Sequence, residues 1–125
     1  MALIAVVIGC QLASPATKAK QAEGIVVSNV VVTETGSDEK NAFCSSFRMT
    51  HEQVTTYFKE AEQVTHKIIH DQYDWLPCYV RGELVYQKKP FKFEIRAGGT
   101  AYIEAIDSDL VIWFACKGCD KLFGG

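Results

Sequence analysis

The chain has 125 residues, of which 48% are hydrophobic and 22% are charged, and its formal net charge is −2. This length accommodates one domain, and the composition is that of a globular protein, with 7 Phe, 5 Tyr and 2 Trp available for a core. These values exclude a multidomain enzyme, a collagen-like chain and a low-complexity scaffold. They also argue against nucleic-acid binding, because proteins that bind phosphate backbones carry a surplus of Lys and Arg.

Residues 1–10 are typical of an export signal, because an apolar run ends at a small residue followed by a cysteine. The ending Val7-Ile8-Gly9-Cys10 resembles a bacterial lipobox, and this resemblance implies that Cys10 is lipidated and becomes the mature N-terminus. Residues 11–23 then form a flexible tether and residues 24–125 form a single domain. The alternative is that the apolar run is a buried strand and Cys10 a core thiol.

Four further cysteines form an even set, which fits an exported protein held by disulfides. We favour the pair Cys44–Cys78, which joins the segment before a predicted helix to the start of a predicted sheet, and Cys116–Cys119 as a local loop. One alternative is a zinc site with four cysteine ligands, in which Cys116 and Cys119 supply one ligand pair. The other is a redox CxxC motif, although such a motif normally opens a helix and no helix is predicted after Cys119.

The first half of the domain is predicted to form a strand and then a helix. Residues 25–33 are rich in β-branched side chains and predict a strand, and residues 34–41 have the composition of an exposed loop. Thr50 is a good N-cap, and Gln53 three residues later completes a capping box. Apolar residues then recur at helical spacing, which predicts one amphipathic helix over about 50–69. The predicted apolar face consists of Val54, Tyr57, Phe58, Ala61, Val64 and Ile68.

The second half predicts four strands joined by short turns. Alternation is clearest where Phe91, Phe93 and Ile95 alternate with charged residues. Short turns make neighbouring strands antiparallel, and the helix must cover one face of their sheet. The predicted fold class is therefore α+β, with about five strands in the order β-α-β-β-β-β. This order resembles the cystatin-like roll, in which a sheet wraps one helix. The four predicted strands are Tyr79 to Gln87, Phe91 to Ala97, Thr100 to Ile106 and Leu110 to Cys116.

Two loops carry residues suited to binding a partner. Asp74 and Trp75 lie in an aromatic link before the second strand, and Trp is a frequent hot spot of protein interfaces. Asp107 and Asp109 form an acidic turn that is suited to enter a basic or carbohydrate-binding cleft. Each loop also has a simpler interpretation: the link covers the core beside Cys78, and the acidic turn is an ordinary hairpin.

The last two strands predict an apolar patch on the face away from the helix. Tyr102 and Ile106 share one face of one strand, and Val111 and Trp113 share one face of the next. A contiguous apolar patch is often an interaction surface, so these residues are candidates for self-association. The alternative is that the N-terminal strand or the tail covers them.

Catalytic and metal-binding motifs are weak. His66 and His70 have the i, i+4 spacing of metal ligands on a helix, but a His-Glu-x-x-His motif is absent, and we expect neither a metal nor a cofactor. Glu83, Glu94 and Glu104 fall on neighbouring predicted strands, as a carboxylate pair for glycoside hydrolysis would. We interpret these three as solvated groups on a half-exposed sheet.

A tethered domain without a catalytic set favours a binding protein over an enzyme. In size and design the chain resembles two classes of small bacterial envelope protein, the periplasmic inhibitors of lysozyme-type hydrolases and the immunity proteins. This resemblance implies a periplasmic or outer-membrane-anchored protein whose partner is a secreted toxin or cell-wall hydrolase, and whose membrane contact is a lipid anchor alone. One alternative is an envelope structural or assembly lipoprotein that forms a homodimer, and another is a cytosolic zinc-binding domain.

Overall fold

A computed structural model describes residues 23–40 and 43–123, so the predicted lipid anchor at Cys10 and residues 11–22 of the predicted tether lie outside the described residues. The fold is α+β, as predicted. The described elements are β1 (Ser28–Ser37), α1 (His51–Glu60), β2 (Glu62–Val64), α2 (His66–Gln72), β3 (Cys78–Tyr86), β4 (Lys89–Arg96), β5 (Thr100–Ala105), β6 (Val111–Ala115) and a short 3-10 helix (Asp120–Leu122).

The helix starts where the capping box predicts. The Thr50 hydroxyl accepts from the Gln53 amide at 3.1 Å, and the Gln53 side chain accepts from the Thr50 amide at 2.9 Å. The prediction of one helix over 50–69 is wrong beyond Glu60, because Ala61 turns extended and the next three residues form β2. These residues pair with β6 at the edge of the sheet, where strand hydrogen bonds replace helical ones. Thr65 then caps a second helix, α2, by accepting from the Ile68 amide at 3.2 Å.

The sheet has six antiparallel strands in the order β1-β3-β4-β5-β6-β2. The sixth strand, which the sequence did not predict, is β2. The predicted loop over 34–41 is wrong in its first half, because Glu34–Ser37 continue β1 and pair with β3. Backbone pairing with β3 outweighs the low strand propensity of Gly and Ser in that segment. The two edge strands are protected differently, since β1 is bulged and β2 is only three residues long.

The core lies between α1 and one face of the sheet. Phe58 of α1 is fully buried, and its ring makes edge-to-face contacts with Phe93 at 6.1 Å and Phe114 at 5.1 Å between centroids. Phe91, Phe93 and Ile95 are buried, as the alternation in β4 predicts. Of the predicted helical face, the residues up to Ala61 are buried, whereas Val64 and Ile68 are only half-buried because they belong to β2 and α2.

Both predicted disulfides are present, Cys44–Cys78 and Cys116–Cys119. A four-cysteine zinc site would need all four sulfurs free and a reduced CxxC pair would need two of them free, whereas the four sulfurs are joined in two disulfides. Disulfides of this kind are compatible with an oxidising, extracytoplasmic location. None of the helices within 23–40 and 43–123 is long and apolar enough to cross a membrane.

The buried phenol of Tyr57 should make the folded protein less stable at high pH. Its hydroxyl donates to the Gly99 carbonyl at 2.7 Å, and burial raises the pKa of this phenol well above its ordinary value. Because the pKa of Tyr57 is higher in the folded than in the unfolded protein, the free energy of unfolding is unaffected below the unfolded-state pKa of about 10. Above that pH it falls by up to about 1.4 kcal/mol per pH unit. The free energy of unfolding in urea should therefore be smaller at about pH 11 than at about pH 8. Tyr57→Phe should shrink this difference, and an unchanged difference would contradict the assignment.

Candidate binding surface on the outward face of the sheet

The sheet face opposite α1 carries one continuous row of side chains, one from each strand. Successive members are direct register partners on neighbouring strands, so the row crosses the whole sheet from edge to edge. Its two ends differ in chemistry, because charged groups occupy the β1 side and aromatic groups the β6 side. This cross-strand row consists of Glu34, Arg81, Glu94, Tyr102, Trp113 and Val64.

Glu94 is the buried centre of the row, with 8% of its side chain exposed. Its two carboxylate oxygens accept from the Nε atoms of Arg81 and Arg96, each at 2.8 Å. The interpretation of Glu94 as a solvated group is therefore wrong, because two guanidinium groups cover it and supply charge-assisted hydrogen bonds. The sequence signal was the placement of Arg81, Glu94 and Arg96 on outward positions of adjacent predicted strands. It could be recognised only once the register between those strands was known.

Arg96 connects this buried ion pair to the link that follows α2. Its Nη1 forms an ion pair with Asp38 at 2.8 Å and donates to the carbonyls of Leu76 at 3.2 Å and Pro77 at 3.4 Å. Its guanidinium also lies 5.3 Å from the centre of the Trp75 ring. Arg96 thereby holds the backbone and one aromatic side chain of the same loop.

Residues 73–77, which we call the Trp75 loop, present an exposed aromatic side chain on a fixed backbone. Trp75 is 60% exposed although its ring faces Arg96. The carbonyl of Asp74 comes so near Gly98 that a β-carbon there would lie 2.7 Å from it, so this approach requires glycine. The Cys44–Cys78 disulfide begins one residue after the loop, and it brings the exposed Phe43 to the same end of the sheet.

The aromatic half of the row contains two of the four residues predicted for self-association. Trp113 lies between His66, stacked at 4.5 Å, and Tyr102 at 5.2 Å between ring centroids, so both row members are half-buried. Burial first and the Glu94 carboxylate second raise the pKa of Tyr102. The other two predicted residues, Ile106 and Val111, are exposed near the turn between β5 and β6.

The four residues predicted for partner binding lie at opposite ends of the sheet. Asp74 and Trp75 lie beside the turn that joins β4 to β5, whereas Asp107 and Asp109 lie in the turn that joins β5 to β6. The six residues of β5 separate the two ends by roughly 20 Å. All four are exposed, but the structure does not bring them into one cluster.

Metal-ligating side chains do not converge in the part of the chain that the structure describes, since no group of three or more His, Cys, Asp or Glu residues is placed to hold an ion. His66 stacks on Trp113, and the Nδ1 atom of His70 lies 3.2 Å from the Asp71 carboxylate. The Asp71 carboxyl has a lowered pKa because Lys67 and His70 hydrogen-bond to it.

The Trp75 loop combines an exposed tryptophan with an arginine that is positioned by the outward face of the sheet. Glu94 has a structural role there: each of its carboxylate oxygens accepts a hydrogen bond from an arginine and so positions that arginine. Comparison of the chain with protein-family models, curated proteins and solved structures finds no match.

Proposed function

We propose that this protein is an exported binding protein that neutralises a secreted toxin or a cell-wall hydrolase by occluding its active site. The observation that carries the proposal is the Trp75 loop, in which an exposed tryptophan is presented on a backbone fixed by Arg96 and bordered by a disulfide. Tryptophan is among the residues that contribute most to protein interfaces. A loop already fixed in its binding conformation loses little entropy when it binds.

The shape and charge of the Trp75 loop, at the end of the sheet where β4 joins β5, would block the active site of the target. In this proposal Trp75 enters the target's cleft, and the exposed Asp74 carboxylate beside it meets a cationic or hydrogen-bonding group there. Asp107 and Asp109 lie too far away to enter the same cleft, so their role is to attract a basic target over distance and to contact its rim.

The two disulfides support a location outside the cytoplasm, and we place the protein in the periplasm. Lipidation of Cys10 would anchor it to the outer membrane, and residues 11–23 would give the domain reach from that anchor. A lipid anchor would be its only contact with the membrane.

The Trp75 loop can be tested with inhibition assays. The targets are purified muramidases, amidases and endopeptidases acting on peptidoglycan, together with any toxin encoded beside the gene. We expect stoichiometric inhibition of one target, and we expect Trp75→Ala to weaken binding by about 30-fold or more, which corresponds to about 2 kcal/mol.

Val31→Ala is the matched control, because Val31 is also exposed but lies in the edge strand β1, outside the Trp75 loop and the acidic turn. It should leave inhibition unchanged. If none of the targets is inhibited, or if Trp75→Ala inhibits as strongly as the unaltered protein, the proposal is wrong.

Self-association is a second candidate function, favoured by one observation. Ile106, Leu110 and Val111 are all exposed around the turn between β5 and β6, and three large aliphatic side chains so close together form an apolar surface. Tyr102 and Trp113 would lie at its border, half-buried on the same sheet face. Sedimentation equilibrium of the full chain distinguishes this envelope-assembly role, which requires a homodimer, from the inhibitor role.

A further inference from the structure

A second feature of the described residues is a cavity that meets the Trp75 loop only at Tyr73. It has a volume of about 760 Å³ and lies between α2, β2 and the loop closed by the Cys116–Cys119 disulfide. We call it the α2 cleft. Volumes of roughly 300–1,000 Å³ are typical of sites for small ligands. The cleft is therefore of a size for a ligand of a few residues.

Two charged side chains of opposite sign line the α2 cleft without an ion-pair partner among residues 23–40 and 43–123. Glu60 and Lys121, which also line it, are 4.0 Å apart and satisfy each other. Glu62 and Lys117 are not joined in such a pair. Within the described part of the chain, the cleft thus presents one carboxylate and one ammonium group that form no ion pair.

Tyr73 lies between these two charges. The Nζ atom of Lys117 is 5.9 Å from the centre of its ring, and the Glu62 carboxylate adds to burial in raising the pKa of its phenol. The apolar side chains of Val64 and Ile68 line the same space. A ligand in the cleft would therefore meet an anion, an apolar surface and a cation.

The helix that borders the cleft is loosely held. No residue of α2 is buried, and its attachments include the Thr65 cap and the stacking of His66 on Trp113. An element with few buried apolar contacts opens at low free-energy cost. A ligand can therefore enter beneath α2 without disturbing the core under α1.

We propose that the α2 cleft binds a short peptide with free termini, whose ammonium group meets Glu62, whose carboxylate meets Lys117, and whose apolar side chain packs on Val64 and Ile68. This site shares Tyr73 with the Trp75 loop but is not lined by Asp74 or Trp75, on which the inhibitor proposal rests. Opposite unpaired charges across an apolar surface select a zwitterion with an apolar body. Each charged contact would supply a charge-assisted hydrogen bond.

The experiment uses the tripeptide Ala-Leu-Ala with free termini and isothermal titration calorimetry on the full chain. We expect a Kd of about 1 mM or tighter. Lys117→Met and Glu62→Gln should each weaken binding about tenfold, as the loss of one charged contact does. Both residues are exposed, so neither change should affect folding. Lys59→Met and Glu83→Gln, which remove exposed charges elsewhere, are the matched controls and should bind normally.

Blocked peptides identify which terminus each charge recognises. The C-terminally amidated tripeptide should bind about tenfold more weakly to the unaltered protein and equally weakly to Lys117→Met. The N-acetylated tripeptide should likewise bind about tenfold more weakly to the unaltered protein and equally weakly to Glu62→Gln. Absence of binding to the free tripeptide, full binding of the doubly blocked tripeptide, or insensitivity to both substitutions would overturn the proposal. Trp75→Ala should bind the tripeptide normally, so failure of the inhibitor proposal is distinguishable from failure here.

Discussion

Replacement of Glu94 by Gln is expected to lower the free energy of unfolding by about 2–3 kcal/mol. The carboxylate accepts from two arginines and is itself buried, so its loss removes the charge that the two guanidinium groups share. Each arginine then keeps one more exposed carboxylate, Glu34 at 3.7 Å from Arg81 and Asp38 at 2.8 Å from Arg96. Removing one member of a buried ion pair costs about 3–5 kcal/mol. The expected value is lower because Gln keeps one acceptor and because 37% of the Arg81 side chain is exposed.

The change should also loosen the Trp75 loop. Arg96 is only 13% exposed and is positioned by Glu94 while it donates to the Leu76 and Pro77 carbonyls. Without the charge of Glu94, Arg96 is held less firmly and its contacts with the loop weaken. Trp75 should then be more mobile, and steady-state fluorescence anisotropy should fall at the tryptophan emission.

Glu104→Gln is the matched control, because Glu104 lies on the same face in the neighbouring strand but is exposed. A surface substitution of this kind changes stability by less than about 0.5 kcal/mol. Urea unfolding of both variants measures the comparison. Equal losses, or a Glu94→Gln protein as stable as the unaltered one, would show that the buried ion pair does not stabilise the fold.

Replacing Cys44 and Cys78 together by Ser is expected to cost about 4 kcal/mol of unfolding free energy. The two cysteines are 34 positions apart, so their bond closes a long loop and restricts the unfolded chain strongly. The loop contains α1, β2, α2 and the Trp75 loop, and Phe43 lies one residue before it. A loss of this size is a large part of the 5–15 kcal/mol typical of a domain.

The second disulfide provides the comparison. Cys116 and Cys119 are three positions apart, and the same relation gives their bond only about 2 kcal/mol. Urea unfolding of the two double-serine variants therefore tests whether loop length controls the loss. If the Cys116/Cys119 variant loses as much stability as the Cys44/Cys78 variant, chain entropy is not the main contribution, and burial of Cys119 in the core would explain the excess.

Features whose physical cause lies within a few residues could be predicted from the sequence. The Thr50–Gln53 capping box begins α1, because the two side chains satisfy each other's backbone groups. The alternation of Phe91, Phe93 and Ile95 with charged residues identified the buried face of β4, because strand side chains alternate between faces. For Trp75 the sequence left two alternatives open, an exposed binding residue or a cover for the core; the side chain is exposed, and its attachment to Arg96 was not predicted.

Features that depend on a partner from another part of the chain were decided by the tertiary structure. The apolar spacing from Val54 to Ile68 is helical throughout, yet the helix ends at Glu60 because the open edge of β6 offers backbone pairing to Glu62–Val64. The sequence by itself determined which side chains are apolar and where local caps begin, and it placed Glu94 on an outward face. Burial of that carboxylate depends on the sheet register, because pairing of β3 with β4 places Arg81 opposite Glu94. Arg96, two residues after Glu94 in β4, supplies the second compensating charge.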